Sequence, residues 1–125
     1  MSGIALRQAI PILRIFSVDK AREFYVDFLG FQWNWEHRFG ENFPIYVQMS
    51  RSDVVLHLSE HHGDGTPGTA VLIQMRGIEA YQRELAARNY RYFRPGIEKA
   101  PWKARMMSVI DPFGNHLRFA EPDEK

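Results

Sequence analysis

Four side chains able to bind a metal or move a proton crowd one short stretch. Val55-Leu-His-Leu-Ser-Glu-His-His62 brings His57, Glu60, His61 and His62 together. Imidazole and carboxylate are donors used by zinc, iron and manganese sites, and a histidine also exchanges protons near neutral pH. The residues up to Ser59 alternate as a strand does, so His57 and His61 do not share a helical face and sit well apart. The plainer reading is one histidine on a sheet face followed by a solvated polar loop. Two arginines widen the choice. Arg14 and Arg118 can grip a carboxylate, a phosphate or another anion in bidentate fashion, or pair with Asp and Glu and reach to a rim. Trp33, Trp35, Phe39, Phe43, Tyr46 and Trp102 supply rings that stack on a planar ligand or pack a core or a dimer surface. Trp102, set among polar loop-like neighbours in Ala100-Pro-Trp-Lys-Ala-Arg105, is the ring best placed for a ligand.

Other chemistries are excluded. The chain has no cysteine, hence no disulfide, thiolate metal site or cysteine nucleophile. It lacks a phosphate-cradling glycine loop, a nucleophile elbow and the helical zinc-hydrolase motif. Arg88, Arg91, Arg94, Lys99, Lys103 and Arg105 interleave with Tyr90, Tyr92 and Phe93 as on a nucleic-acid surface, but a net charge of +1 favours a solvated face and no nucleic-acid partner. No apolar run approaches the ~20 residues of a membrane span, and the first residues do not read as a signal peptide, so a cytoplasmic protein is expected. With 125 residues, 45% of them hydrophobic and 14% aromatic, one domain over 1–125 with a real core is the expectation.

The elements that must position these residues come in two sets. Ala9–Phe16 reads as a strand, with Pro11 marking an edge or irregular start. Ser17 or Asp19 can cap the helix after it, in which Ala21, Phe24, Tyr25, Phe28 and Leu29 form an apolar stripe and Gly30 ends the run. Strands follow at Phe31–Glu36, Ile45–Met49 and Asp53–Ser59. Residues 60–68, with three glycines and a proline, form a linker. Thr69–Met75 is again a strand; a helix from Gly77 to Asn89 turns Ile78, Tyr81 and Leu85 inward, with Asn89 as terminator. Strands at Tyr90–Phe93 and Arg105–Ile110, a loop through Arg94-Pro-Gly96, and a hairpin across Asp111-Pro-Phe-Gly-Asn115 complete the set. The second set repeats the first at an offset of 60 for the first strand and the helix and 61 for the last strand. The fold class is therefore α+β: two βαβββ modules, at about 9–59 and 69–121, forming cup-shaped mixed sheets.

Each sheet has one face covered by its helix and one free. Alternation gives the helix side Leu13, Ile15, Leu56, Leu58, Val71, Ile73, Leu117 and Phe119. The free side takes Ile10, Ile12, Arg14, Val55, His57 and Ser59 in one module, and Ala70, Leu72, Gln74, His116, Arg118 and Ala120 in the other. Two half-cups facing each other would enclose a pocket with a mixed apolar and basic lining, suited to a small molecule.

Ala21-Arg-Glu-Phe-Tyr-Val-Asp-Phe-Leu-Gly-Phe31, Val55-Leu-His-Leu-Ser59 and Asp111-Pro-Phe-Gly-Asn115, in that order and with the repeat, resemble the vicinal oxygen chelate superfamily of glyoxalases, extradiol dioxygenases and bleomycin-resistance proteins. Leu56-His-Leu-Ser-Glu-His61 and the short chain most resemble the bleomycin-resistance-type, glyoxalase-like branch. That resemblance implies a dimer with ligand sites in cups between modules. The superfamily's enzymes hold a divalent metal with one residue from each of four equivalent strand positions. Those positions correspond here to Ile10, His57, Ala70 and Arg118, so the resemblance implies no metal and no cofactor. It implies a binder of an antibiotic-like or aromatic molecule through Arg14, Val55, His57, Leu72, Gln74, Trp102 and Arg118. The alternative it carries is a glyoxalase-like lyase or isomerase, or a dioxygenase, with His57 as metal ligand or acid/base.

Overall fold

Alternating residues fold into two four-stranded sheets with the same internal order. The structure is a computed structural model describing residues 3–88, 90 and 95–123. The first sheet comprises β1 (Ile12–Arg14), β2 (Gln32–Arg38), β3 (Ile45–Arg51) and β4 (Val54–Ser59), ordered β1-β4-β3-β2. The second comprises β5 (Ala70–Gln74), β6 (Ile97–Ala100), β7 (Ala104–Ile110) and β8 (His116–Pro122), ordered β5-β8-β7-β6. In each, the first strand lies parallel to the last and the rest are antiparallel. The duplication extends to single residues. Ile12 is paired with His57, and Leu72 with Arg118; the Ile15 amide donates to the Ser59 carbonyl as the Met75 amide does to Ala120.

The first crossover begins as α1 (Val18–Ala21), where the Ser17 hydroxyl accepts the Lys20 amide, and continues as a π-helix over Arg22–Phe28. There the Leu29 amide reaches back five residues to the Phe24 carbonyl. The expected stripe of Ala21, Phe24, Tyr25, Phe28 and Leu29 is fully buried, although the winding that delivers it is not the α-helix expected. Gly30, at φ 83°, closes the run, and a Cβ there would strike the Arg51 guanidinium. The second crossover is α2 (Ile78–Arg88), burying Ile78, Tyr81 and Leu85 as expected.

Three other expectations are corrected or fall elsewhere. The first strand is regular only over Ile12–Arg14. Tyr90 is not in a strand, while Asn89 and 91–94, and with them the start of the expected Arg94-Pro-Gly96 loop, lie outside the described residues. A strand stands instead at Ile97–Ala100, in a segment with no alternating pattern to announce it.

The helix-side residues of both sheets meet in one apolar cluster running from Leu13 and Ile15 to Leu117 and Phe119. Two polar joints pin the modules together beside it. At the β7–β8 turn the buried Asp111 carboxylate accepts the amides of Phe113 and Asn115 at 2.8 Å on one oxygen. Its other oxygen accepts the Tyr25 hydroxyl at 2.6 Å and the Asn115 side-chain amide at 2.9 Å. Asn115 also donates to the Arg14 carbonyl. Burial, and then the Asp111 charge, push the Tyr25 hydroxyl well above its ordinary pKa. At the second joint Arg51 forks onto Glu84 at 2.7 and 3.1 Å and donates to the Leu29 carbonyl, which also accepts the Tyr81 hydroxyl. The Arg51 hydrogen bond holds Glu84 below the usual carboxylate range, and burial pushes Tyr81 up to about 12. No helix among the described residues is long and apolar enough to cross a membrane.

Candidate binding surface on the cup faces

On the first sheet, parity and register place Ile12, Arg14, Val55 and His57 on the face away from the core, as the alternation predicts. Strand β3 adds Tyr46, Gln48 and Ser50 to that face, because Gln48 pairs with His57 while Ile45, Val47 and Met49 are buried on the other. Trp33 and Trp35 would share a face in a regular strand, but a β-bulge between them separates the two. Trp33 turns to the helix side, where the Arg22 guanidinium lies 4.1 Å from its ring centroid and Glu36 accepts its indole N–H. Trp35 joins the cup face, 44% exposed, with its ring edge-on to His57 at 5.5 Å.

Both nitrogens of His57 are engaged. Gln48 donates through Nε2 to Asn34 and presents its carbonyl oxygen 3.0 Å from His57 Nε2. With Gln48 so oriented, the tautomer that satisfies both contacts carries the proton on Nε2 and lets Nδ1 accept the Tyr46 hydroxyl at 2.7 Å. Burial lowers the His57 pKa, which favours this neutral ring. The half-buried Arg14 lies along the Phe16 ring at 4.7 Å, and its Nε is buried without a hydrogen-bond partner. It does not pair with an acid among the described residues. Its backbone edge is covered by the linker, where a Cβ on Gly65 would stand 2.8 Å from the Ile12 carbonyl oxygen.

The cup face of the second sheet carries Leu72, Gln74 and Arg118, joined by Ser108 opposite Arg118 and Ile110 opposite His116. Leu72 is 59% exposed, and Arg118 is exposed with no ion pair among the described residues. Trp102 sits 66% exposed on the turn between β6 and β7. The fold thus gathers Arg14, Val55 and His57 on one sheet and Leu72, Gln74 and Arg118 on the other. No hydrogen bond, ion pair or ring contact joins the two groups within the described residues. Sequence reasoning missed Tyr46 and Gln48 as partners of His57, and Asn34 as the partner of Gln48; the alternation of Ile45–Met49 was the signal that Tyr46 and Gln48 share its face.

The donor set does not suit the metal of the superfamily's enzymes. Its four strand positions carry Ile10, His57, Ala70 and Arg118, and His57 has no free lone pair while Tyr46 and Gln48 hold it. Among the described residues no three His, Asp or Glu side chains cluster closely enough to hold an ion.

The glyoxalase superfamily protein model matches residues 1–125. Among solved structures, a bleomycin-binding protein complexed with bleomycin superimposes with a TM-score of 0.73 at 21% identity, over 94% of this chain and all of the other. A bleomycin resistance determinant encoded on the transposon Tn5 gives 0.74 at 22% identity, over 95% and 100%. TnmS3, an antibiotic binding protein from Streptomyces sp. CB03234, gives 0.69 at 19% identity, over 96% and 100%. Among curated proteins no sequence matches.

Proposed function

The chain belongs to the glyoxalase superfamily, and from that premise we propose that it binds a small planar or amphipathic molecule without a metal and without turning it over. The cup that holds the ligand is completed by a second copy of the chain, and the protein acts in the cytoplasm as a sequestering binder. One observation carries the reading: both sheets leave their cup faces open, with apolar side chains exposed at the register-equivalent positions Ile12 (40%) and Leu72 (59%). A monomer gains nothing from such faces, whereas two half-cups closing on each other bury them around a cavity. In that cup Ile12, Val55 and Leu72 supply apolar contact. Arg14, His57, Gln74, Trp102 and Arg118 fix the ligand's polar groups, with the two arginines favouring carbonyl or acidic ones. That similar folds include proteins named for bleomycin and antibiotic binding is compatible with sequestration.

The test is calorimetric titration of metal-free protein with bleomycin-type drugs and small aromatic acids, with mass measured by light scattering. The expected result is a dimer that binds in the presence of a chelator. Arg118→Ala should lower affinity about 10- to 100-fold, the worth of a charge-assisted hydrogen bond. Binding that requires a divalent ion, or turnover lost in His57→Ala, would replace this reading with the lyase or dioxygenase one.

A further inference from the structure

Beside the cup face of the first sheet runs an open groove of about 650 Å³, bordered by Trp35, His37, Phe39, Tyr46, His61 and Asp64. Its rings form an unbroken arc. Trp35 and Tyr46 lie nearly parallel with centroids 6.2 Å apart, Tyr46 and His61 are 6.4 Å apart, Phe39 and His61 6.0 Å, and His37 and Phe39 4.6 Å. At this spacing one guest can sit within ~6 Å of several ring centroids at once, the range over which an aromatic face attracts a cation.

The charges around the arc agree with a cationic guest. Asp64 uses one carboxylate oxygen to accept the Ser59 hydroxyl at 2.9 Å and has no ion-pair partner among the described residues. Its negative charge reaches the arc, adding to burial in raising the Tyr46 pKa. Glu36 also borders the groove, but its carboxylate is held by Arg22 and the Trp33 indole. The nearby cation is committed elsewhere: Arg38 donates to the Phe43 carbonyl at 2.6 Å and stands 4.0 Å from Glu60. Phe39 meets His37 and His61 edge to face and remains 74% exposed, so ring surface is left for a guest.

We propose that this groove is a cation cage, in which the rings of Trp35, Phe39 and Tyr46 and the Asp64 carboxylate receive an alkylated ammonium group. All its parts come from one chain, but Trp35 and Tyr46 also stand on the cup face, so the cage deepens the binding reading of that face. Its own test is preference for a cation over a neutral isostere, which the cup reading does not require.

The probe is tetramethylammonium, with choline and its neutral isostere 3,3-dimethylbutan-1-ol as a matched pair, followed at pH 8 through the indole N–H resonances. The expected result is saturable binding with Kd on the order of millimolar, confined to the Trp35 indole resonance, with the neutral isostere at least about 10-fold weaker. Asp64→Asn, which keeps an acceptor for Ser59, should weaken choline at least about 3-fold while leaving the melting temperature in place, and Trp35→Leu should abolish binding. If Asp64→Asn melts early, the choline-to-isostere ratio in the unaltered protein decides alone. Equal binding of the neutral isostere, a shift at another indole, or no saturation up to 100 Kd of that order would each overturn the cage.

Discussion

The two cup faces are built on one template and furnished in opposite ways. In the first sheet His57 stands opposite Gln48, with Tyr46 two residues along, and the three side chains satisfy one another. In the second sheet the register puts Arg118 where His57 stands, Ser108 where Gln48 stands and Met106 where Tyr46 stands. The side chains of that set form no hydrogen bond or ion pair among the described residues. Around His57 the first face is neutral, aromatic and preorganised, with the cation Arg14 at the edge by Phe16; at the matching positions the second face carries an exposed arginine with unused donors. Duplication has kept the backbone register and the core alternation, while the exposed positions have taken up different chemistry. Core positions are constrained by packing from both sides, and cup positions only by what they hold.

The two faces keep their relation only while the sheets are held together, so the largest effect should come from the joint beside them. Asp111→Ala removes the acceptor for four donors, including the buried Tyr25 hydroxyl. Leaving buried donors unpaired costs ~1–3 kcal/mol each, so a loss of roughly 3 kcal/mol or more is expected in denaturant unfolding. Tyr25→Phe should cost less, because the carboxylate keeps its other three donors. A Tyr25→Phe loss equal to that of Asp111→Ala would mean the turn contributes nothing and the inter-module bond everything.

Much of this was legible in the sequence. The offset of 60 to 61 residues reappears as Ile12–His57 and Leu72–Arg118, because a parallel pair fixes which residues are neighbours once the strands are found. The helix stripe was legible as a set of buried residues, but not as a π-helix, since both windings can bury the same five positions. The face of Trp35 was not legible: one inserted residue at the bulge reverses parity, and nothing in Gln32–Arg38 marks where it falls. The Asp111-Pro-Phe-Gly-Asn turn was read for its conformation, yet its reach to Tyr25 spans 86 residues and no local rule carries that far. Strand β6 was missed because Ile97-Glu-Lys-Ala100 has no apolar alternation; it is a strand by virtue of its pairing with β7.

A smaller effect separates the two furnishings directly. Tyr46→Phe deletes the hydroxyl that His57 Nδ1 accepts, at a part-buried site, and should cost about 1 kcal/mol. Its register mate in the second sheet, Met106, has no such bond, so Met106→Leu should cost little, because it conserves volume. Equal losses for the two would show that the hydrogen-bonded triad adds nothing to the first face, and that its order comes from packing alone.

The smallest effect is the one that tests the protonation state of His57. Its folded pKa lies below the ordinary value of about 6.5 because burial disfavours the imidazolium. A depressed folded pKa means that the unfolded chain takes up the proton first as pH falls. The stability due to a neutral His57 is therefore complete above about pH 6.5, is lost as pH falls from there through the folded pKa, and changes no further below it. Glu84, also depressed, acts in a separate window below about pH 4.5, so the two do not overlap. The measurement is the difference in unfolding free energy between the unaltered protein and His57→Gln, taken from pH 8 down to pH 5. The difference should shift against the unaltered protein below pH 6.5, with ¹⁵N chemical shifts showing the proton on Nε2 at the upper end. A flat difference would mean that burial does not lower the folded pKa, and a proton on Nδ1 would reverse the donor order between Tyr46 and His57 and require Gln48 to turn its NH2 toward Nε2.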